Sequence, residues 1–292
     1  MDTRSGAVPT LTRMTDLDGR TVLVTGATDG LGLALADRLG AEGATVLAHA
    51  RSEARGAEAL ERLGSGRYEV VVADLASLAQ VRSLATAVRE RAPRLDALVN
   101  NAGIGSTVPG GGARMESEDG LELRFAVNYL AGYALTHELL DLLVASAPAR
   151  IVNVASAGQM AIDFDDVMLE RGYDGTRAYC QSKLAQILFT FDLAEQLRDR
   201  RVTVTALHPA TFMPTKMVTR PPVSTLEEGL EATWRLVADP ELEGVTGAYF
   251  FGQREARADA QAYDPSARER LRELSERLVA RTAASAAGSE PR

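Results

Sequence analysis

From Arg20 onward, short runs rich in β-branched residues alternate with longer stretches of helical period. TVLVTG is followed by a helix-like segment to Glu42, then ATVLAHA and a second helix through Leu63. The rhythm continues with YEVVVAD, a helix over Ser77 to Arg91, LDALVNNAG, and a long helix over Leu121 to Val144. ARIVNVAS, a helix from about Tyr179 to Arg198, RVTVTALHP, a helix over Leu226 to Ala238 and a last strand in GAYFF complete it. Alternation of this kind is a βαβ pattern. Strands apolar on both faces imply a parallel sheet covered by helices on each side. The prediction is an α/β, doubly wound domain with a mainly parallel sheet of about seven strands.

Domain boundaries follow from where the periodicity stops. Residues 1–16 and the Ala/Ser-rich residues 282–292 lack a clear apolar period and are expected to be flexible tails. Residues 17–281 form one catalytic domain, with residues 211–238 as its substrate loop. No repeat of 20 to 50 residues interrupts it.

The strand-to-helix turn at Thr25-Gly26-Ala27-Thr28-Asp29-Gly30-Leu31-Gly32 lies where helix amides would meet a pyrophosphate, the signature of a Rossmann-type domain. Taken alone, such a cluster could be only a tight turn. After the second strand, Ala50 is followed by Arg51 rather than by a carboxylate. A guanidinium there can fork onto a 2′-phosphate, so NADP(H) is preferred and NAD(H) is possible. Arg51 could also be an ordinary solvated helix-end residue, and Asp29 would repel an added phosphate if it pointed inward. Asp74 either contacts an adenine amine or caps the helix near Ser77.

Charge and composition narrow the partners. The 292 residues carry a formal net charge of -8 and are 46% hydrophobic. That size suits one large unit, and no basic stripe marks a nucleic-acid or anionic membrane surface. No apolar run approaches the roughly 18 residues of a membrane span. One cysteine, Cys180, rules out an intramolecular disulfide and suits a reducing cytoplasm. The three histidines, His49, His137 and His208, show no metal-ligand spacing, so no metal is expected.

TGATDGLG, Asp74, Asn100-Asn101-Ala102-Gly103, Asn128, Ser156 and Tyr179-x-x-x-Lys183 occur in the order seen in short-chain dehydrogenases/reductases, which the chain resembles over about Leu17 to Gly252. The stretch Ile162 to Phe189 resembles the retinol dehydrogenase-like and WW-domain oxidoreductase-like branch. The resemblance implies a dinucleotide site over Thr25, Gly26, Thr28, Asp29, Gly30, Leu31, Gly32, Arg51, Asp74, Leu75, Asn101, Ala102, Gly103, Tyr179, Lys183, Pro209, Thr211 and Thr215. It also implies a homodimer or homotetramer.

Tyr179 and Lys183, four apart, share one helix face. A nearby ammonium would favour the phenolate and bring Tyr179 from its usual value near 10 toward neutral pH, making it an acid in reduction and a base in oxidation. The resemblance adds Lys183 on the nicotinamide ribose, Ser156 on the reacting oxygen, and Asn128 in support of a proton relay to the lysine. The expected reaction is hydride transfer between NADP(H) and a carbonyl or secondary alcohol, bulky and apolar if Phe212, Met213 and Met217 wall the pocket. The alternatives are a nicotinamide-assisted epimerase or dehydratase, and a cofactor-sensing or scaffold protein without turnover.

Two departures from the family pattern stand out: Ala155-Ser156 in place of two serines, and His208-Pro209-Ala210 in place of Pro-Gly. The second puts the cofactor contacts of Thr211 and Thr215 in question. His208 is expected to be structural, Cys180 to serve packing, and Trp234 to line either the pocket or the core.

Overall fold

A computed structural model of the chain describes residues 16–107, 109–218 and 221–287. The first half alternates β1 (Thr21–Val24), α1 (Gly30–Ala41), β2 (Thr45–Ala50), α2 (Glu53–Arg62), β3 (Arg67–Val72), α3 (Leu78–Arg91) and β4 (Ala97–Asn100). A π-helical stretch, Phe125–Leu130, runs into α4 (Ala131–Glu138) and α5 (Leu140–Ala145). Then come β5 (Ala149–Val154), α6 (Gly175–Gln196), β6 (Val202–His208), α7 (Leu226–Ala238), β7 (Ala248–Phe251), β8 (Arg254–Ala256) and α8 (Pro265–Ala287).

The strands form one sheet in the order β3-β2-β1-β4-β5-β6-β7-β8, parallel except for β8. Alternation within a strand sends side chains to opposite faces. On β1, Leu23 enters the apolar layer shared with α3, α6 and α8, whereas Val22 and Val24 enter the layer shared with α1 and α7. The chain leaves β3 at one edge and returns at β4 beside β1, so the order reverses between β1 and β4. That reversal opens a crevice at the carboxyl ends of the strands.

Four expectations change. The sheet has eight strands, because the chain turns after β7 and pairs back as the antiparallel β8. The long helix expected over Leu121 to Val144 is divided: Phe125–Leu130 is π-helical, and Leu139 (φ -99, ψ 0) separates α4 from α5. Helix α6 starts one turn before Tyr179, where the Asp174 carboxylate accepts from the Arg177 amide at 2.7 Å. The tail placed at 282 is corrected as well, since α8 continues to Ala287; residues 1–15 and 288–292 lie outside the described residues. Helix α8 had no counterpart in the sequence reading. It packs on α6 and α3, and its Ser275 hydroxyl bonds Tyr129 at 2.7 Å.

Candidate active site

The crevice is built around the turn after β1. The Thr25 hydroxyl donates to the Val99 carbonyl (3.2 Å) and accepts the amides of Asn101 (2.9 Å) and Ala102 (3.0 Å). Asn101 returns the contact, its amide nitrogen donating to the carbonyls of Thr25 (2.8 Å) and Gly26 (3.3 Å). The approach is so close that a Cβ on Gly32 would stand 2.3 Å from the Gly26 oxygen and 2.4 Å from Asn101 Nδ2. Gly26 itself has φ +66, and a Cβ there would stand 2.9 Å from the Ala102 backbone. Leu31, in the first turn of α1, is buried.

His49, on β2, completes the turn. Its Nδ1 accepts the Gly26 amide at 3.0 Å and its Nε2 lies 2.9 Å from the Ala73 carbonyl. Since the amide can only donate, Nε2 carries the proton and donates to Ala73. Burial holds the imidazole below its ordinary value, so it stays neutral. In the sequence His49 shows only the lack of metal-ligand spacing; the pairing of β2 beside β1 is what brings it to Gly26.

Asp29 caps α1, accepting from the Gly30 amide at 2.9 Å, and pairs with Lys216 (2.5 Å) and Arg62 (3.5 Å). Lys216 and the capping bond hold its carboxyl below the usual range against the opposing effect of burial. Arg62 also reaches the Thr28 carbonyl at 3.2 Å. Arg51 is exposed at the end of β2 and has no hydrogen bond or ion pair among the described residues. Asp74 does not cap α3; the cap position is Ser77, and Asp119 accepts the Leu78 amide at 2.9 Å. Asp74 instead accepts from the Ala76 amide at 2.9 Å, and the neighbouring Leu75 is buried in the core.

The chemical groups sit at the carboxyl end of β5 and on α6. The Ser156 hydroxyl accepts the Gly158 amide at 3.0 Å and lies beside the Tyr179 phenol, which it favours in its ionised form. Its carbonyl receives the Tyr249 hydroxyl and the Gln159 side-chain amide, both at 3.0 Å. These two supports of the serine loop, from β7 and from the loop itself, were not found by sequence reading. The buried Lys183 donates from Nζ to the Val154 carbonyl (2.8 Å) and to Gln186 Oε1 (2.9 Å). Burial alone lowers its value to about 7. Asn128 spends its side chain on structure: Oδ1 accepts the Ile104 amide at 2.7 Å, and Nδ2 donates to the Ile104 carbonyl (3.1 Å) and the Ser182 hydroxyl (3.0 Å).

The expected lowering of Tyr179 by Lys183 is absent from this arrangement. Lys183 Nζ lies 5.9 Å from the Tyr179 ring centre and is turned toward Val154 and Gln186. Burial raises Tyr179 above its ordinary value, and the bond to Ser156 opposes that rise. Cys180 is buried, and a side chain begun at Gly158 would meet its Sγ at 3.4 Å, Ser156 Oγ at 3.5 Å and Tyr179 Cε1 at 3.6 Å. The cysteine therefore packs beside the site.

The segment after β6 arches over the crevice. His208 Nε2 lies 3.0 Å from the Thr211 hydroxyl, its ring packs at a tilt of 55° against Phe251, and burial pulls it down to about 4. Pro209 is buried. The Thr215 methyl stands 3.1 Å from where a Cβ on Gly30 would be, and Met217 covers Gly103 and Gly105. The expected aromatic and Met cluster disperses: Met213 packs on Gly229 of α7, Phe212 is exposed, and only Met217 enters the crevice. Trp234 belongs to the core, its indole N–H donating to Glu42 at 2.7 Å under the Arg38 guanidinium.

A dinucleotide fits these donors. The first amides of α1 have no acceptor within the helix, Lys183 has spent two of its three N–H groups, and Arg51 is unpaired. A lysine, a tyrosine and a serine at the carboxyl edge of a doubly wound sheet are the groups that a nicotinamide-dependent oxidoreductase of the Rossmann class would use. Residues 20–222 match the family model described as short chain dehydrogenase. The chain belongs to that family and is an NAD(P)-dependent oxidoreductase of its retinol dehydrogenase-like branch.

Human retinol dehydrogenase 14 is 37% identical over 90% of this chain and 87% of its own length. The WW domain-containing oxidoreductase of Pongo abelii is 32% identical over 90% of this chain and 69% of its own. Among solved structures, an uncharacterised protein from Mycobacterium paratuberculosis superposes with a TM-score of 0.76, at 29% identity, over 91% of this chain and 95% of its own. The Pseudomonas aeruginosa RhlG/NADP active-site complex gives 0.66 at 28% identity over 81% and 95%.

Proposed function

We propose that the protein transfers hydride between NADP(H) and a bulky, apolar carbonyl or secondary alcohol, with Tyr179 as acid and base. The observation that carries the reading is the Tyr179 phenol beside the Ser156 hydroxyl, with Lys183 on the same helix α6. The nicotinamide, when bound, supplies or accepts the hydride. Ser156 accepts from the Gly158 amide, so the proton it directs at the Tyr179 phenol can turn to the reacting oxygen, where charge develops. Tyr179 gives that oxygen a proton in reduction and takes one in oxidation. Lys183 retains one N–H for the ribose.

Arg51 supports NADP(H) over NAD(H), being exposed, unpaired and at the end of β2 with no carboxylate beside it. The names of the similar retinol dehydrogenases make retinol and its aldehyde the first substrates to try. A buried, single Cys180 supports a reducing, cytoplasmic location, and the reading carries with it a homodimer or homotetramer.

The experiment is a fluorescence titration of NADPH and NADH into the wild type and Arg51→Ala. NADPH affinity falls about tenfold or more in the variant, the worth of a charge-assisted bond, while NADH binding holds. Equal loss of both would remove Arg51 from the 2′-phosphate. Tyr179→Phe keeps nucleotide binding and loses about 10²- to 10⁴-fold in turnover of retinaldehyde or of the first carbonyl that reacts. Undiminished turnover would overturn the assignment.

A further inference from the structure

We infer that Gln186 is a positioning residue for Lys183: its amide oxygen fixes the lysine's Nζ and sustains its protonated form. The inference rests on Lys183 being the lysine of the chemistry proposed above.

Nζ and Gln186 Oε1 are 2.9 Å apart, in a region where Lys183 and Gln186 are both only 3% exposed. An ammonium has donors and no lone pair, so the side of Gln186 that faces it is its oxygen. The two residues are three apart on α6, which sets their reach through the helix backbone rather than through a flexible loop. Gln186 is itself held. Its backbone carbonyl accepts the Thr190 hydroxyl (2.8 Å), which accepts Asn153 Nδ2 (2.9 Å), and Asn153 Oδ1 accepts Asn100 Nδ2 (2.9 Å). A polar chain thus anchors the turn of α6 that carries Gln186 to β5 and β4.

Few other groups stabilise the lysine's charge. On its own helix the titratable neighbour is Tyr179, with Cys180 packed beside that ring. The segments facing it, Val154 on β5, Gly103 after β4, Asn128 and Met217, bring no titratable side chain. Burial has already drawn the lysine to about 7, at the edge of losing its proton. Among the described residues Nζ meets two acceptors, the Val154 carbonyl and the Gln186 amide, and the second is the side chain that substitution can alter.

The sequence also supplies the means of testing it. Lys183 and Lys216 are the only lysines among its 32 basic residues. Growth on [ε-¹³C]lysine therefore gives a two-signal spectrum in which the exposed Lys216 serves as an internal reference. In Gln186→Met the Lys183 midpoint falls by about one to two units, the worth of a hydrogen bond to a charged group. In Gln186→Glu it rises above the wild type, and in both variants Lys216 stays in place. A Lys183 midpoint unchanged in both variants would overturn the inference. If Gln186→Met does not fold, Gln186→Glu decides alone, and a midpoint equal to the wild type sinks it. The titration needs neither cofactor nor substrate, so it stands apart from any failure of the proposed reaction.

Discussion

The Gly26 amide donates to His49 Nδ1 at 3.0 Å, so the conformation of the glycine turn depends on a neutral imidazole. Its folded value is lowered by burial, which means the unfolded chain binds the proton more readily. Stability contributed by His49 is therefore complete above the unfolded value near 6.5 and is lost as the pH falls below it toward the lower folded value. His208, drawn down to about 4, acts with the same sign. Denaturant unfolding between pH 6.5 and 5 is expected to show stability falling with acid, by at most about 1.4 kcal/mol per pH unit per histidine. His49→Gln loses the His49 share of that slope and weakens dinucleotide binding. A slope identical to the wild type would show that His49 does not titrate with folding.

Gly32→Ala tests the close approach on which the turn depends. A Cβ 2.3 Å from the Gly26 oxygen must displace backbone, and overpacking of this kind costs about 1–3 kcal/mol. Both nucleotides are expected to lose binding. Gly103→Ala is the contrast, because its Cβ would stand 3.2 Å from Asn128 Oδ1 and 3.5 Å from Lys183 Nζ, against side chains rather than backbone. Thermal melts should separate the two, with the greater loss at Gly32; the reverse order would refute the account of the turn.

What was legible in the sequence was whatever the local period carries. Apolar runs such as Val22–Val24 and Leu98–Val99 gave the parallel sheet because burial on both faces needs no knowledge of the partner strand. The TGxxxGxG turn and the Tyr179/Lys183 spacing were legible for the same reason. Contacts made across the sheet were not. His49 carries no local signal of its role because its partner Gly26 lies 23 residues away, and the Tyr249 bond to Ser156 spans 93. The break in the helix after Leu121 was hidden as well, since a π-helical stretch uses the same residue types as the α-helix it replaces. The orientation of Lys183 toward Gln186 rather than the Tyr179 phenol is a matter of rotamer, which spacing on a helix does not fix.

Asp29 places a carboxylate at the helix terminus where a pyrophosphate would be received, and it pairs with Lys216 across the crevice. Asn is as good a cap as Asp, so Asp29→Asn keeps α1 intact while removing the charge and releasing Lys216. Affinity for NADPH and NADH is expected to rise severalfold at low ionic strength, with the gain shrinking as salt screens the site. Weaker binding in the variant would mean that the carboxylate contributes to the ligand rather than competing with it.

The loop after β4 and the segment leading into α6 are joined by a buried cluster whose centre is Arg124, fully enclosed beside an equally enclosed Glu122. Arg124 donates to the carbonyls of Gly105 (2.9 Å) and Ser106 (2.8 Å) and to the Tyr173 hydroxyl (2.7 Å), and Tyr173 donates to Glu122 at 2.9 Å. Burial and the Glu122 carboxylate push the Tyr173 phenol up to about 12, so it remains a donor across the physiological range. Arg124→Met strands the Glu122 charge in the interior and is expected to cost about 3–5 kcal/mol in denaturant unfolding. Tyr173→Phe removes the phenol bridge but leaves the Glu122–Arg124 ion pair, at 3.6 Å, and the Arg124 bonds to Gly105 and Ser106 in place, so its cost is nearer 1–2 kcal/mol. Replacing both Glu122 and Arg124 by apolar residues should cost less than Arg124→Met alone, because no unpaired charge is left buried. A double variant less stable than Arg124→Met would show that the cluster stabilises the fold through its bonds to the loop carbonyls rather than through its internal charge balance.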